Sequence, residues 1–425
     1  MNNQQRDAEF DAIVVGSGPG GATVARELSR KSKKVLLLER GGAQPLTEGF
    51  RTIASIINGV PAGDKLVAAR AFTTGGTTAL YFAVADEPPL ASFKSLGIDL
   101  SCALEEARRE LPLTEVPDTM LGVQAKRVRE SAIAMGLPWK KKMMLVDLSK
   151  CPTGYAYEAK WNARSYVRDA IVHGATLVTR AMVSKVILDK NRAVGVEYTV
   201  PSGKKSVETR RAYGTRVVLS AGGAASPIIL RDSGMPTVAT NGFYCHPSLA
   251  VFGLVSGLNA GETFVGSMSA EIEDGMAVGD ANFARTFYRL FMLRQARFVR
   301  AFAHSRSIGV GVAVMEGLSG ELRENGRYHK QLHRDDLEKL RKGERIAREI
   351  IRRAGGKRIF SSAPAPAHIG GTIRIKEHVD QTLQTEYSHL HVCDGSVIPE
   401  QVKVSPTLTL ICLGKYLANH LATAC

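Results

Sequence analysis

Three glycines and an acid near the start of the chain have the spacing of a dinucleotide-binding turn. Gly16, Gly18 and Gly21 follow the apolar residues 12–15, and Glu39 closes the next apolar run. In such a turn the glycines permit a sharp bend, the approach of a pyrophosphate and close helix packing, while the acid binds the ribose. The helix N-terminus attracts the phosphates through its unpaired N–H groups and its dipole. The pattern predicts dinucleotide binding; the alternative is an ordinary turn between a strand and a helix.

A second turn suited to phosphate lies at residues 73–78 and contains Gly75, Gly76, Thr77 and Thr78. Successive backbone N–H groups in such a turn can donate to phosphate oxygens. On its own it would be only a loop.

The elements that position these turns alternate between strands and helices. They are helices within residues 102–135 and at 162–173, strands at 175–179 and 182–188, a hairpin of strands 193–200 and 205–211, and a buried strand at 216–221 that ends in glycines. The middle of the chain changes character. Its predicted elements are strands at 249–258 and 307–315 and helices at 283–304 and 334–354, which indicate a sheet covered by helices.

The last sixty residues return to the first part of the fold. Ser405 suits the N-cap and Pro406 the first position of a final apolar helix that runs through residue 421. The sequence therefore predicts an α/β protein with a Rossmann-like nucleotide-binding domain that is discontinuous, residues 1–240 and 365–425. A smaller domain of sheet and helices, residues 241–364, would contact the substrate.

Composition favours a reduced, cytoplasmic enzyme. The 425 residues are 44% hydrophobic, without an apolar run of membrane-spanning length, and the polar N-terminus leads almost at once into the first strand, which leaves no room for a signal peptide. The six cysteines lack metal-ligand spacing, so we expect free thiols and no metal.

The net charge of +15 is unevenly distributed. Residues 283–358 contain 19 Lys or Arg against 8 Asp or Glu, and phenylalanines recur at helical spacing beside arginines within residues 283–306. This pattern indicates either a solvated pair of helices or a basic face that contacts anionic lipid or an acidic partner. Arg294 interrupts the apolar sector. Nucleic-acid binding is not expected, since no recognised module accompanies the charge.

The order of these parts resembles the glucose-methanol-choline flavin oxidoreductases, and is nearest to the cholesterol oxidase, long-chain alcohol oxidase and pyranose oxidase branches. Beyond the first turn, the resemblance rests on residues 75–78, 225–235, 246–247, 368–372, 379–380, 392–399 and 405–409. It implies an FAD enzyme that oxidises an alcohol to an aldehyde or ketone. Hydride loss leaves positive charge on carbon, so a base must take the hydroxyl proton, and His368 matches the family's catalytic histidine.

The position of the family's second polar group departs from the pattern, because Ser405 stands where a histidine or asparagine is usual. Serine can contact the substrate but is shorter and can be occupied as an N-cap. Tyr81 replaces the family's asparagine after the second glycine turn. Cys245 stands where an acid commonly precedes His246, so we expect a structural role for His246.

Further flavin contacts are implied by the resemblance. Val183 matches the residue whose backbone meets adenine, Asp394 the residue that holds the ribityl chain, and the helix start at Pro406 and Thr407 faces the pyrimidine end of the flavin. The first histidine in the chain is His173, so attachment of the flavin through a histidine near the second glycine turn is excluded and non-covalent FAD is expected.

The expected substrate is a bulky or apolar alcohol, with electrons passed to a quinone, a protein carrier or dioxygen. Two alternatives stay open: an NAD-linked dehydrogenase that uses the same glycine turn, and a flavoprotein electron-transfer or binding subunit without alcohol oxidation activity.

Overall fold

Strands and helices alternate along the first part of the chain, as the apolar patterning predicts. The computed structural model describes residues 9–63, 66–203, 206–240, 242–273, 275–399 and 405–423. The strands are β1 (Phe10–Val15), β2 (Val35–Glu39), β3 (Ile57–Gly63), β4 (Leu66–Ala71), β5 (Leu113–Glu115), β6 (Lys140–Lys141), β7 (Met143–Leu145), β8 (Thr176–Thr179), β9 (Met182–Asp189), β10 (Arg192–Pro201), β11 (Val207–Leu219), β12 (Pro247–Leu254), β13 (Met268–Glu273), β14 (Met276–Asp280), β15 (Ser307–Val314), β16 (Glu321–Leu322), β17 (Tyr328–His329), β18 (Lys357–Ser361), β19 (Ala365–Pro366) and β20 (Leu390–Val392).

Helices cover the faces of the sheets. The α-helices are α1 (Pro19–Arg30), α2 (Phe50–Ile56), α3 (Leu90–Ser95), α4 (Ser101–Glu110), α5 (Val123–Ala134), α6 (Arg164–Val172), α7 (Ser226–Asp232), α8 (Arg285–Arg294), α9 (Arg334–Arg353) and α10 (Thr407–Thr423). Short 3₁₀ helices lie at Gly76–Ala79, Asp118–Met120, Leu148–Lys150, Tyr157–Ala159, Phe298–Phe302, His304–Arg306 and Gly395–Val397.

The first sheet has the strand order β8-β2-β1-β11-β10-β9 among the described residues, with β20 also beside β11. Strands β8, β2, β1, β11 and β20 run parallel. The apolar residues of β1, β2 and β20 and of residues 217–219 in β11 are buried, as expected for the centre of a sheet covered by helices. This arrangement confirms the α/β fold class. The prediction of separate strands at 205–211 and 216–221 is wrong, because β11 is one strand that pairs first with β10 and then with β1. Lys205 lies outside the described residues.

The second sheet is antiparallel, with the order β18-β12-β15-β14-β13-β6 in the part of the chain that is described, and β19 also pairs with β12. Helix α9 packs across β12, β14, β15 and β18. Strands β6 and β19 join this sheet from outside residues 241–364, and the boundaries at 240 and 365 stay a prediction. The predicted helix at 283–304 is wrong beyond Arg294, since Ala296 adopts a left-handed φ of 54° that ends α8.

Candidate functional site: two glycine turns and a histidine loop

The first glycine turn connects β1 to α1 at the carboxyl end of the parallel sheet. Gly16 has a φ of 98°, and a Cβ atom there would lie 2.2 Å from the carbonyl oxygen of Ser220. A Cβ on Gly21 would lie 2.1 Å from the carbonyl oxygen of Gly16. A Cβ on Gly18 would meet nothing within 4 Å. Packing within the protein therefore requires the first and third glycines, whereas the second borders open space beside the start of α1.

Glu39 joins this turn through its buried carboxylate. The carboxylate accepts hydrogen bonds from the backbone N–H of Ser17 (3.0 Å), the hydroxyl of Ser17 (2.6 Å) and the backbone N–H of Gly41 (2.6 Å). Burial raises the pKa of Glu39 although these donors act to lower it. A carboxylate has about four acceptor positions, so capacity for a further hydroxyl donor is left.

The second glycine turn lies against the first. The backbone N–H of Gly75 donates to the hydroxyl of Ser17 (3.0 Å), and a Cβ on Gly76 would lie 3.0 Å from the Cα atom of Gly18. Ser17 thus links Glu39 to the second turn. Sequence reasoning missed this role, because nothing in the spacing distinguishes Ser17 from any other residue between the glycines.

The threonines of the second turn hold the turn itself. The hydroxyl of Thr78 donates to the carbonyl of Gly75 (2.6 Å) and accepts from the backbone N–H of Ala163 (3.0 Å). The hydroxyl of Thr77 accepts from the backbone N–H of Ala71 (3.3 Å). Any contact from this turn to a phosphate therefore falls mainly to its backbone.

A buried arginine that the sequence did not single out fixes the base of the same turn. The Arg164 guanidinium donates to the hydroxyl of Thr73 (2.9 Å) and to the carbonyls of Thr74 (3.3 Å) and Gln44 (2.8 Å). Burial lowers the pKa of Arg164. Its three acceptors lie in two segments, so it connects them.

Val183 lies near Glu39. It is buried in β9, and the residues just before it are bonded to the Glu39 segment: the backbone N–H of Ala181 donates to the carbonyl of Glu39 (2.9 Å), and that of Arg180 to Gly41 (2.9 Å).

Asp394 closes the site from the C-terminal side. Its carboxylate accepts hydrogen bonds from the backbone N–H groups of Gly222 and Ser396 (both 2.8 Å) and from the hydroxyls of Ser226 and Ser396 (both 2.5 Å). Burial raises the pKa of Asp394 although these donors act to lower it. The side chain therefore joins the glycine end of β11 to the loop after β20.

His368 lies half-buried in a loop that packs on this glycine end. A Cβ on Gly223 would lie 1.9 Å from the carbonyl oxygen of Ile369, and the hydroxyl of Thr372 donates to the carbonyl of Gly223 (2.9 Å). Both glycine turns, Asp394 and the His368 loop are thus tied to the carboxyl ends of β1 and β11.

Two aromatic rings pack against the His368 imidazole. The ring centroids of His246 and Tyr244 lie 5.0 Å and 5.6 Å from that of His368, both edge to face, and the Tyr244 and His246 rings stack at 4.5 Å. The backbones are paired as well, because Tyr244 and Gly370 exchange hydrogen bonds of 3.0 Å and 3.1 Å. The His368 loop is therefore held by the segment that carries His246.

A fully buried ion pair supports that segment. The Lys330 ammonium lies 3.1 Å from the Glu316 carboxylate and donates to the carbonyl of Phe243 (2.6 Å), while Glu316 accepts from the backbone N–H of Cys245 (2.7 Å). Burial raises the pKa of the Cys245 thiol. No sequence pattern pairs residues 316 and 330, and the pair was missed.

Ser405 and Pro406 are half-buried just before α10, which begins at Thr407. The carbonyl of Pro406 accepts the first helical hydrogen bond from Leu410 (2.9 Å), so the helix starts one residue later than predicted. Among the described residues, no group of His, Cys, Asp and Glu is arranged to hold a metal, and no helix has the length and apolarity to cross a membrane.

A small cleft opens beside the second glycine turn. Its apolar lining includes Leu80, Phe82, Phe264 and Phe287, and its polar lining includes Lys160. Burial lowers the pKa of Lys160 to about 8. His368 is not among its lining residues.

The GMC oxidoreductase family model matches residues 98–248, and a model of NAD(P)-binding Rossmann-like domains matches residues 14–43. A GMC-type oxidoreductase of Mycobacterium tuberculosis is 28% identical over 57% of this chain and 42% of its own length. The chain thus spans less than half the length of that relative. A long-chain-alcohol oxidase of Arabidopsis thaliana is 22% identical over 97% of this chain and 68% of its own. The crystal structure of pyridoxine 4-oxidase from Mesorbium loti shares the fold, with a TM-score of 0.74 and 15% identity over 97% of this chain and 99% of that one.

Proposed function

Because the chain belongs to the glucose-methanol-choline (GMC) oxidoreductases, an FAD-dependent family, we propose that it binds FAD without a covalent bond and oxidises an alcohol to an aldehyde or ketone. One observation carries the proposal: two glycine turns and the His368 loop, far apart in sequence, are tied to the same end of the parallel sheet. Ligands of doubly wound sheets bind at the carboxyl ends of the strands.

The chain's own groups fit the adenosine diphosphate part of FAD. The open space at Gly18 admits a pyrophosphate beside the N-terminus of α1, and Glu39 retains an acceptor position for a ribose hydroxyl. The proposed cofactor-binding residues are Gly16, Gly18, Gly21, Glu39, Gly75, Gly76, Thr77, Thr78, Val183, Asp394, Pro406 and Thr407. An NAD-linked dehydrogenase would not need the C-terminal part of this set.

His368 would act as the general base. When bound, FAD supplies the acceptor for the hydride that leaves the carbinol carbon. The hydroxyl proton must then move to a group of the protein, and an imidazole takes up a proton near neutral pH. The packed rings of Tyr244 and His246 restrict the orientation of the His368 ring. Ser405 is proposed as a second polar contact to the substrate oxygen.

A bulky or apolar alcohol is the proposed substrate, and electrons would pass to a carrier or dioxygen. The long-chain-alcohol oxidase relatives support this choice. The serine at position 405 favours one alternative, a flavoprotein subunit that carries electrons but does not oxidise alcohols.

Anaerobic mixing with a series of alcohols tests the proposal, since an active enzyme bleaches its flavin. We expect His368→Ala to slow bleaching by about 10²-fold or more, while the exposed His420→Ala behaves as wild type. Slowing of less than about tenfold would contradict the role of His368. A flavin that dithionite reduces but none of the alcohols bleaches would support the electron-transfer alternative.

A further inference from the structure

Three large apolar side chains project into solvent directly after α8. Phe298, Val299 and Phe302 are 63%, 88% and 81% exposed, and they share one 3₁₀ helix, Phe298–Phe302, which we name the aromatic turn. Single exposed apolar residues are ordinary, but three within five positions form a patch, and such patches mark interaction sites.

The aromatic turn is separate from the aromatic core beneath it. Phe283 of the same segment packs with Phe287 and Phe291, and Phe283 and Phe291 both pack with Phe252. The left-handed φ of Ala296 ends the helix, and the later phenylalanines, Phe298 and Phe302, are exposed instead of joining this core. The apolar periodicity of residues 283–306 therefore divides into a buried half and an exposed half.

Two arginine side chains fix the aromatic turn by packing over a phenylalanine ring. The guanidinium carbons of Arg300 and Arg297 lie 4.5 Å and 5.3 Å from the ring centroid of Phe360, and Arg300 donates to the carbonyl of Arg358. These contacts hold the backbone of the turn while Phe298 and Phe302 stay exposed.

The surroundings of the aromatic turn are positively charged. Arg294, Arg297 and Arg306 are exposed, and Arg300 and Arg358 lie beside them. Burial lowers the pKa of Arg300, and the positive charges of Arg297 and Arg358 act in the same direction. Within the described ranges, ion pairs to carboxylates are found for none of these five arginines. The patch thus combines apolar tips with cations that acidic groups do not neutralise.

We propose that the aromatic turn docks the protein onto an anionic lipid surface. Phe298, Val299 and Phe302 would enter the boundary between headgroups and acyl chains, while the surrounding arginines contact lipid phosphates. A second copy of the chain fits this surface poorly, because two equally basic patches would repel each other. The proposal does not depend on alcohol oxidation.

Sedimentation with vesicles tests the docking. The flavin-loaded protein is mixed with vesicles of phosphatidylcholine alone or with added phosphatidylglycerol, and the bound fraction is measured. We expect binding to the anionic vesicles only, weakened by salt, and reduced about tenfold or more by Phe298→Ser combined with Phe302→Ser. Val172→Ser combined with Val207→Ser is the matched control, because those side chains are 80% and 68% exposed elsewhere.

A reporter variant tests the insertion without loss of the apolar tips. Phe302→Trp places an indole at the tip of the aromatic turn, and its fluorescence should shift to the blue with anionic vesicles. Equal binding of the double Phe variant and its control would overturn the proposal, as would equal binding to both kinds of vesicle. Loss of self-association on Phe298→Ser, in the absence of lipid, would instead identify a contact between copies.

Discussion

Substitution of single glycines in the first turn separates cofactor binding from folding. Gly18 has a φ of −63° and a ψ of 179°, which alanine adopts readily, and its added Cβ would meet no atom of the protein within 4 Å. Gly18→Ala should therefore leave the folded protein unchanged or stabilise it by about 0.4–1 kcal/mol. The methyl group would occupy the space that we assign to the pyrophosphate.

The expected loss of FAD affinity follows from that overlap. Forcing a methyl group into a filled space costs about 1–3 kcal/mol, which corresponds to an affinity roughly 5- to 150-fold lower. Gly16→Ala behaves differently, because its φ of 98° and the 2.2 Å approach to the Ser220 carbonyl strain the protein itself. We expect at least about 3 kcal/mol of lost stability there.

Titration of the flavin-free variants with FAD, followed by quenching of flavin fluorescence, measures the affinities, and urea unfolding measures the stabilities. FAD binding by Gly18→Ala as tight as that of wild type would contradict the placement of the pyrophosphate beside Gly18. Unfolding of Gly16→Ala at the wild-type urea concentration would contradict the steric role of Gly16.

Three further substitutions test the buried charges. Burial lowers the pKa of His391 from 6.5 to about 4, so as the pH falls this imidazole takes up a proton in the unfolded chain before it does in the folded protein. The free energy of unfolding should therefore fall between pH 6.5 and about 4, by on the order of 3 kcal/mol. Urea unfolding at several pH values should show a smaller fall in His391→Gln, and a pH profile equal to that of wild type would refute this. Lys415→Met removes the ammonium that the partly exposed carboxylates of Glu27, Glu106 and Glu110 share. The free energy of unfolding should fall by about 2–3 kcal/mol near neutral pH, and by less in acid because the carboxylates are then protonated. Equal losses at both pH values would contradict this. Glu316→Gln strands the buried Lys330 ammonium and should cost about 3 kcal/mol in urea unfolding, whereas the exposed Glu321→Gln should change little; equal effects of the two would show that burial is not the cause.

Local patterns in the sequence predicted much of the fold. The apolar runs gave β1, β2 and α9 near their observed bounds, and the glycines at positions 16 and 75 do adopt left-handed conformations. The end of α8 could not be predicted, because apolar residues continue at helical spacing through the left-handed Ala296.

Contacts between distant residues account for the rest. Ser17 reaches Gly75 across 58 positions, and Arg164 reaches Thr73 across 91, yet neither bond leaves a local signature. Side-chain hydrogen bonds of this kind depend on tertiary packing, which hydrophobic periodicity does not encode. The catalytic roles of His368 and Ser405 stay predictions.

Release of the cofactor tests the central claim most directly. If segments from both ends of the chain form one FAD site without a covalent bond, the purified protein is yellow, and acid precipitation leaves a stoichiometric amount of FAD in the supernatant. A colourless protein that does not take up added FAD, or a flavin that stays in the pellet, would contradict the account.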